Sequence, residues 1–318
     1  MLIVQKFGGS SLAGAERLRR AASIIADSAD AGNKVVAVVS ARGDMTDELL
    51  GQAQRISADP PVRELDALLS CGETGSAAMT AMQLADIGKR CVSLTGAQAG
   101  ILTDGVHGAA RILSIDTARI MRELDAGKIV IAAGFQGAER GGDTTTLGRG
   151  GSDTTAVELA AALKADRCEI YSDVDGIYTA DPRLVTGAVR LDSIDYGDML
   201  HLALHGSQVL HSRSVEAAMR ANVRVHLLSS FTRHEGTVMC KLDDRSGLCG
   251  VTRDPSLGTV SIIGREADAH VLAEAVAALA HSDIIVGATE LFDGGCSLFV
   301  SPDRLLPALE ITHRRFFR

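Results

Sequence analysis

Short runs of branched apolar residues alternate along this chain with stretches of helical periodicity, and that alternation limits the fold more than any other feature. Leu2–Phe7, Lys34–Ser40, Arg90–Leu94, Lys128–Ala132, Arg167–Ser172 and Val223–Leu228 read as strands. Ala15–Ala31, Thr74–Ile87, Ser114–Ala126, Thr154–Lys164 and Tyr196–Leu204 read as helices. Strands separated by helices build an α/β fold, a mainly parallel sheet sandwiched by helices, because each parallel return needs a crossover. Ligands in such sheets bind beyond the carboxyl ends of the strands. Phe231–Asp244 reads as the connection out of this domain, giving a first domain over 1–235 and a second over 236–318.

Two glycine turns mark where that edge becomes chemical. After the first strand, Gly8-Gly9-Ser10-Ser11 turns the chain into a helix, and Lys6 stands at the strand end. Strand, glycine turn and helix form an anion cradle, and a lysine beside it neutralises phosphate. The order differs from the Walker pattern, whose lysine follows the glycines, and from the GxGxxG dinucleotide fingerprint. The second turn, Leu147-Gly148-Arg149-Gly150-Gly151-Ser152-Asp153, runs into the helix at Thr154. Arg149 offers a fork to a carboxylate or phosphate, and Asp153 brings the opposite charge. This stretch reads either as a loop for a substrate bearing both acid and amine or as a glycine-rich turn with a capping Ser-Asp pair.

Composition narrows the partners. The 318 residues, 46% of them hydrophobic, suffice for a large core and two domains. A net charge of −8 without a Lys/Arg cluster argues against nucleic acid or an anionic membrane as partner. The N-terminus enters a strand directly and no apolar run is long enough to span a bilayer, so a cytoplasmic protein is expected. Cys71, Cys91, Cys168, Cys240, Cys249 and Cys296 lack CxxC spacing and read as free thiols. No dedicated metal-ligand cluster is visible.

Six blocks stand in a telling order. They are Lys6–Ser11, Cys71-Gly72-Glu73, Gly134-Phe135-Gln136-Gly137, Arg149–Asp153, Ser172–Arg183 and Val209-Leu210-His211. Together they resemble the aspartate kinases of the amino-acid-kinase superfamily, densely over residues 1–240 and loosely beyond. The resemblance implies ATP-dependent phosphorylation of the β-carboxylate of L-aspartate to 4-phospho-L-aspartate, the first step toward lysine, threonine and methionine. Mg²⁺ would bridge the ATP phosphates. Lys6 would stabilise the β- and γ-phosphates, with Gly8, Gly9 and Ser10 donating from backbone or hydroxyl. Asp153 would organise Lys6 and the substrate end of the site. Arg149 would hold a substrate carboxylate within the Gly150-Gly151-Ser152 turn, Glu73 would meet the α-ammonium, and Thr46 and Ser152 would supply hydroxyls. Glu73 also suits a helix start, complementing the macrodipole of Thr74–Ile87, and both roles can hold together. Ser172, Asp173, Tyr178, Asp181 and Arg183 would form the nucleotide side: Asp173 accepting from ribose or adenine, Tyr178 packing on the base, Arg183 reaching phosphate. The plain reading there is an Asp175-Gly176 turn joining strand-like pieces. The attacking group is already a carboxylate, so no strong general base is required.

Two departures keep other readings open. In Gly206–Arg213, many relatives carry lysine where Gln208 stands and proline where Ser212 stands. Losing one preorganised cation costs roughly 10²-fold or more in rate, though Lys6, Mg²⁺ or Arg213 can compensate. Gln208 keeps open a catalytically weak regulatory subunit, and the shortened C-terminal region keeps open a same-fold kinase for a related amino dicarboxylate in a specialised pathway. His211 reads as a packed or capping residue. The C-terminal stretch reads as strand Gly258–Gly264, helix Ala267–Ser282, hairpin Ile284–Phe292 and Gly295–Ser301, then helix Pro302–Arg318. This βαββα order resembles the family's regulatory ACT unit without its closing strand, and the chain stops where many relatives begin a second such unit. Arg265-Glu266-Ala267-Asp268 stands where effector loops commonly have a Pro-Gly turn. An open sheet edge invites pairing with another chain, so a homodimer through this unit is expected ahead of amino-acid sensing.

Overall fold

The structure, a computed structural model, describes residues 1–232, 234–243 and 247–317. The chain begins β1 (Leu2–Phe7), α1 (Gly9–Leu12), α2 (Gly14–Asp30), β2 (Lys34–Val39), α3 (Met45–Ile56) and α4 (Val62–Asp86). It continues β3 (Cys91–Leu94), β4 (Ile101–Thr103), β5 (Ile112–Ile115), α5 (Ala118–Asp125), β6 (Ile129–Ala133), β7 (Gln136–Ala138), β8 (Thr144–Thr146), α6 (Gly151–Leu163) and β9 (Arg167–Ser172). Next come β10 (Ser193–Asp195), α7 (Tyr196–Leu204), α8 (Ser212–Ala221), β11 (Val225–Ser229) and β12 (Thr237–Cys240). The last elements are β13 (Gly250–Asp254), β14 (Thr259–Ile263), α9 (Ala269–Ala280), β15 (Ala288–Phe292), β16 (Gly295–Phe299) and α10 (Leu305–Phe316). They gather into two compact units, residues 1–175 with 220–235, and residues 176–219 with 236–318.

In the first unit, β11, β9, β1, β2, β6 and β3 lie side by side, every neighbouring pair parallel. The expected mainly parallel sheet is therefore observed. Side chains alternate across it. Phe7, Val35, Val39, Ile131 and Ala133 join the buried cluster under α2 and α4, and Gln5 donates to Ser28 of α2 at 2.8 Å. Lys6, one residue out of phase, pairs with Asp153 of α6. The two helical layers thus take opposite faces, and the pleat alone sends Lys6 toward α6.

The structure extends or corrects the sequence reading at several places. Helix α4 begins at Val62, well before the expected Thr74, so Glu73 sits inside the helix and not at its start. Helix α6 begins at Gly151, which brings Gly151, Ser152 and Asp153 into its first turn. A second sheet, β5-β4-β7-β8, was not expected; its strands are three or four residues long, too short to show a period of two.

In the second unit β10 and β12 pair in parallel. Strand β12 lies within Phe231–Asp244, which had read as a bare connection. The βαββα order holds, with β13 added antiparallel to β14, so the sheet runs β13-β14-β16-β15. The edge beside β14 is therefore covered by β13, while β15 is an outer strand with Ala288–Leu291 exposed. Asp268 caps α9, accepting from the N–H groups of His270 at 2.9 Å and Val271 at 3.0 Å. Asp244 and Arg318, ends of two expected segments, lie outside the described residues.

Among the described residues no disulfide joins the cysteines: Cys71 is exposed, whereas Cys168 and Cys296 are buried. Burial pushes the Cys296 thiol up to about 11 and the Cys168 thiol higher still, which suppresses the reactive thiolate. Titration of the native protein with a chromogenic disulfide reagent should show Cys71 reacting fastest. Cys168 and Cys296 should react only after denaturant is added.

Candidate active site

The first cradle is built by close approach. Gly8 donates its N–H to Tyr171 O at 3.2 Å, tying the end of β1 to β9. Gly43 donates to Gly9 O at 3.0 Å, tying the turn to the loop after β2. A Cβ on Gly9 would fall 2.7 Å from Ala41 O, a backbone atom, so only glycine fits. Ser10 lies within the single turn α1. Lys6 Nζ stands 2.6 Å from Asp153 Oδ1, the two side chains only 10% and 14% exposed. Asp153 in the first turn of α6 also meets the positive end of that helix.

The second turn needs glycine for its conformation. Gly148 and Gly150 have φ of 75° and 70°, and Gly150 is the residue from which α6 starts. Gly134 packs so tightly on Ser152 that a Cβ would fall 2.8 Å from Ser152 Oγ. Phe135 is itself left-handed at φ 65°, held by its N–H to Thr155 Oγ1 at 3.1 Å and by Leu147 N–H to its carbonyl at 2.8 Å. Arg149 is exposed at the tip and Thr46 lies in the first turn of α3.

Glu73 reaches the first cradle from α4. It is 3% exposed, and its Oε1 accepts from Ala41 N–H at 3.1 Å, inside the loop that touches Gly9. Its Oε2 is buried without a hydrogen-bond partner. So is Nε of Arg42, in the same loop. Burial raises the Glu73 carboxyl from 4.5 to about 7, with Ala41 N–H pulling it down. A buried carboxylate oxygen with no donor suits a ligand ammonium.

The nucleotide-side residues divide between the units. Ser172, at the end of β9, accepts through its carbonyl from Ser230 N–H at 2.9 Å and Ser230 Oγ at 3.1 Å. Ser230 Oγ also lies 2.8 Å from Ser11 Oγ. Asp173 is exposed. Tyr178, Asp181, Arg183 and Gln208 belong to the second unit. Tyr178 bridges to Arg190, and Arg183 forks onto Asp181, with Nε and Nη2 at 3.0 and 2.8 Å. Gln208 is exposed. His211 accepts at Nδ1 from Arg213 N–H at 3.3 Å, a capping contact.

Among the described residues no three His, Cys, Asp or Glu side chains converge on a metal site. One carboxylate, Asp153, stands beside the cradle lysine. That donor set fits a Mg²⁺ ion held chiefly by nucleotide phosphate oxygens. A parallel sheet with an anion cradle at its carboxyl edge, a paired lysine and a carboxylate awaiting a cation is built for phosphoryl transfer.

Comparison with known proteins agrees. The model of the amino acid kinase family matches residues 1–229. The aspartokinase of Mycolicibacterium smegmatis is 48% identical over 290 residues, 89% of this chain and 69% of its own length. The aspartate kinase structure from Synechocystis aligns at a TM-score of 0.69 and 37% identity, covering 99% of this chain and 55% of its own. Aspartokinase III of E. coli, in complex with aspartate and ADP, aligns at 0.72 and 26% identity, covering 95% of this chain and 79% of its own. The chain belongs to the amino acid kinase family. Within that family it falls among the aspartokinases.

The raised Glu73 carboxyl has a signed consequence. The folded state holds this proton more tightly than the unfolded chain, so the group costs nothing below about pH 4.5 and destabilises as pH rises through 7. The cost levels off at roughly 3 kcal/mol. Glu73→Gln should therefore stabilise the ligand-free protein above pH 7 and not below 4.5, read by denaturant unfolding. If Glu73 binds the substrate ammonium, the wild-type KM for aspartate should fall as pH rises through 7. That fall should vanish in the variant.

Proposed function

We propose that this chain performs the aspartokinase reaction around the Lys6–Asp153 pair. It is an aspartate kinase: ATP phosphorylates the β-carboxylate of L-aspartate. An oxygen of that carboxylate attacks the γ-phosphorus, the bond to the β–γ bridging oxygen breaks, and ADP leaves with 4-phospho-L-aspartate. Charge accumulates on phosphoryl oxygens, so the protein's task is positioning and positive potential. Lys6 supplies that potential, and the Gly9 N–H and the Ser10 hydroxyl hold the phosphates beside Gly8, whose own N–H is taken by Tyr171 O. Asp153 keeps the Lys6 ammonium aimed. Arg149 takes a substrate carboxylate, Glu73 its ammonium, and Thr46, Gly150, Gly151 and Ser152 complete the acceptor pocket. Ser172, Asp173, Tyr178, Asp181, Arg183 and Gln208 serve the nucleotide. Mg²⁺ bound to ATP would neutralise its phosphates.

The single observation that carries this reading is the nearly closed Lys6–Asp153 contact of 2.6 Å at the end of the glycine cradle. Residues 1–235 form the catalytic domain in this scheme. Residues 236–318, an ACT-like unit, form a homodimer contact, which the exposed outer strand β15 supports. No helix among the described residues is long and apolar enough to cross a membrane; a cytoplasmic location is part of the same reading.

Trapping acyl phosphate with hydroxylamine in the presence of ATP, Mg²⁺ and L-aspartate tests the scheme. Lys6→Ala should lower kcat by about 10²–10³-fold with the fold intact by circular dichroism. Turnover on a substituted aspartate alone would keep the mechanism and move the substrate. An inert wild-type chain, restored by Gln208→Lys, would make it a regulatory subunit.

A further inference from the structure

The acceptor pocket draws its two charged ends from different elements: Glu73 from α4, and Arg149 from the turn between β8 and α6. Their separation decides which dicarboxylate fits. Asp66, which no functional reading of the sequence singled out, sits on the same buried stripe of α4 as Ser70 and Glu73 and is 1% exposed. Its carboxyl group accepts from Gly108 N–H at 3.1 and 3.0 Å, from the Thr146 hydroxyl, and meets His107 Nδ1 at 2.8 Å. Thr146 is the last residue of β8 and stands three positions before Arg149.

A second tie runs beside the first. Gln136 of β7 pairs in register with Thr146, and its Nε2 donates to Ser70 O at 2.9 Å and to Thr74 Oγ1 at 3.3 Å. Helix α4 is thus pinned directly to the strand that leads into Arg149 two turns before Glu73, and through that strand's neighbour β7 at Ser70 and Thr74. Burying a carboxyl group is costly unless donors meet it, and a fully met polar cluster fixes one geometry where apolar packing tolerates several.

We propose that Asp66 is a positioning residue that sets the distance between Glu73 and Arg149 and thereby the preference for aspartate over glutamate, one methylene longer. The proposal rests on the reading above in which Glu73 and Arg149 hold the substrate. Misplacing a bound group by about 1 Å can cost 10²-fold in rate, and one methylene is worth 10–200-fold in discrimination. The bond from Thr146 to Asp66 is the link that matters.

The test compares Asp66→Asn and Thr146→Val with the wild type. The second variant keeps the volume and the other Asp66 bonds, so it remains informative if the first fails to fold. For each, kcat/KM is measured on aspartate and on glutamate, with KM for ATP and the Tm. The expected result is a KM for aspartate raised about tenfold, an aspartate-to-glutamate ratio narrowed about tenfold, and a KM for ATP within about twofold of wild type. A ratio unchanged in Thr146→Val, whatever happens to Tm, overturns the proposal. Glu73→Gln and Arg149→Ala are run alongside. Should either leave the KM for aspartate unchanged, the substrate assignment fails, independently of what Asp66 does.

Discussion

The site depends on one lysine being held at the end of a central, fully enclosed strand. Lys6 lies on β1, which is flanked by β2 and β9, and every residue of β1 after the first is buried. Bringing an ammonium group into such a setting is unfavourable, and its attraction to Asp153 returns little net stability. In the proposed scheme the pair is preorganisation: a cation fixed before its phosphate arrives need not reorganise when charge develops. The glycines follow from the same requirement. With Gly9 pressed against Ala41 O, the turn carries the chain away from Lys6 without a side chain over the cradle.

Helix α4 shows the complementary strategy, a buried face lined with polar groups. Asp66, Ser70, Glu73, Ser76, Ala77, Thr80 and Leu84 fall on one stripe, and the groups differ in how they are met. Asp66 is surrounded by donors, which makes it a fastening point. Glu73 has one oxygen bonded and one bare, so it resists ionisation until something cationic arrives. A satisfied and a half-satisfied carboxyl group thus stand two turns apart on one helix.

That same face explains what could be read in the sequence. The strands of the parallel sheet and both glycine turns were legible, because burial on two faces writes continuous branched runs and tight turns write glycine. The first half of α4 was not, since its buried positions hold Asp66, Ser70 and Glu73 where hydrophobic periodicity looks for leucine. Thr144–Thr146 and Gln136–Ala138 are too short and too polar to announce strands, yet they connect α4 to the Arg149 turn. The ties between α4 and the strands β7 and β8 were hidden by the polarity that makes them. Gly150 likewise gave the turn away without its start point: only the left-handed φ of 70° places the first turn of α6 over Gly151–Asp153.

Chain order and packing part company over residues 176–219, which gather with 236–318. They read as part of the first domain because they follow β9 and precede β11. A segment belongs, however, where its backbone groups find partners. Thr179 N–H donates to Val189 O at 2.9 Å, Val251 N–H of β13 donates to Thr179 O at 2.7 Å, and Thr179 Oγ1 lies 2.8 Å from His313 Nε2 of α10. The block Tyr178–Arg183 is therefore fastened to the C-terminal sheet and its last helix. Its Asp181–Arg183 fork is a local turn, closed on itself by Arg183 N–H to Asp181 Oδ1 at 3.0 Å. A motif can keep its spacing in sequence while its scaffold comes from far along the chain, and here that scaffold is the C-terminal β-sheet unit.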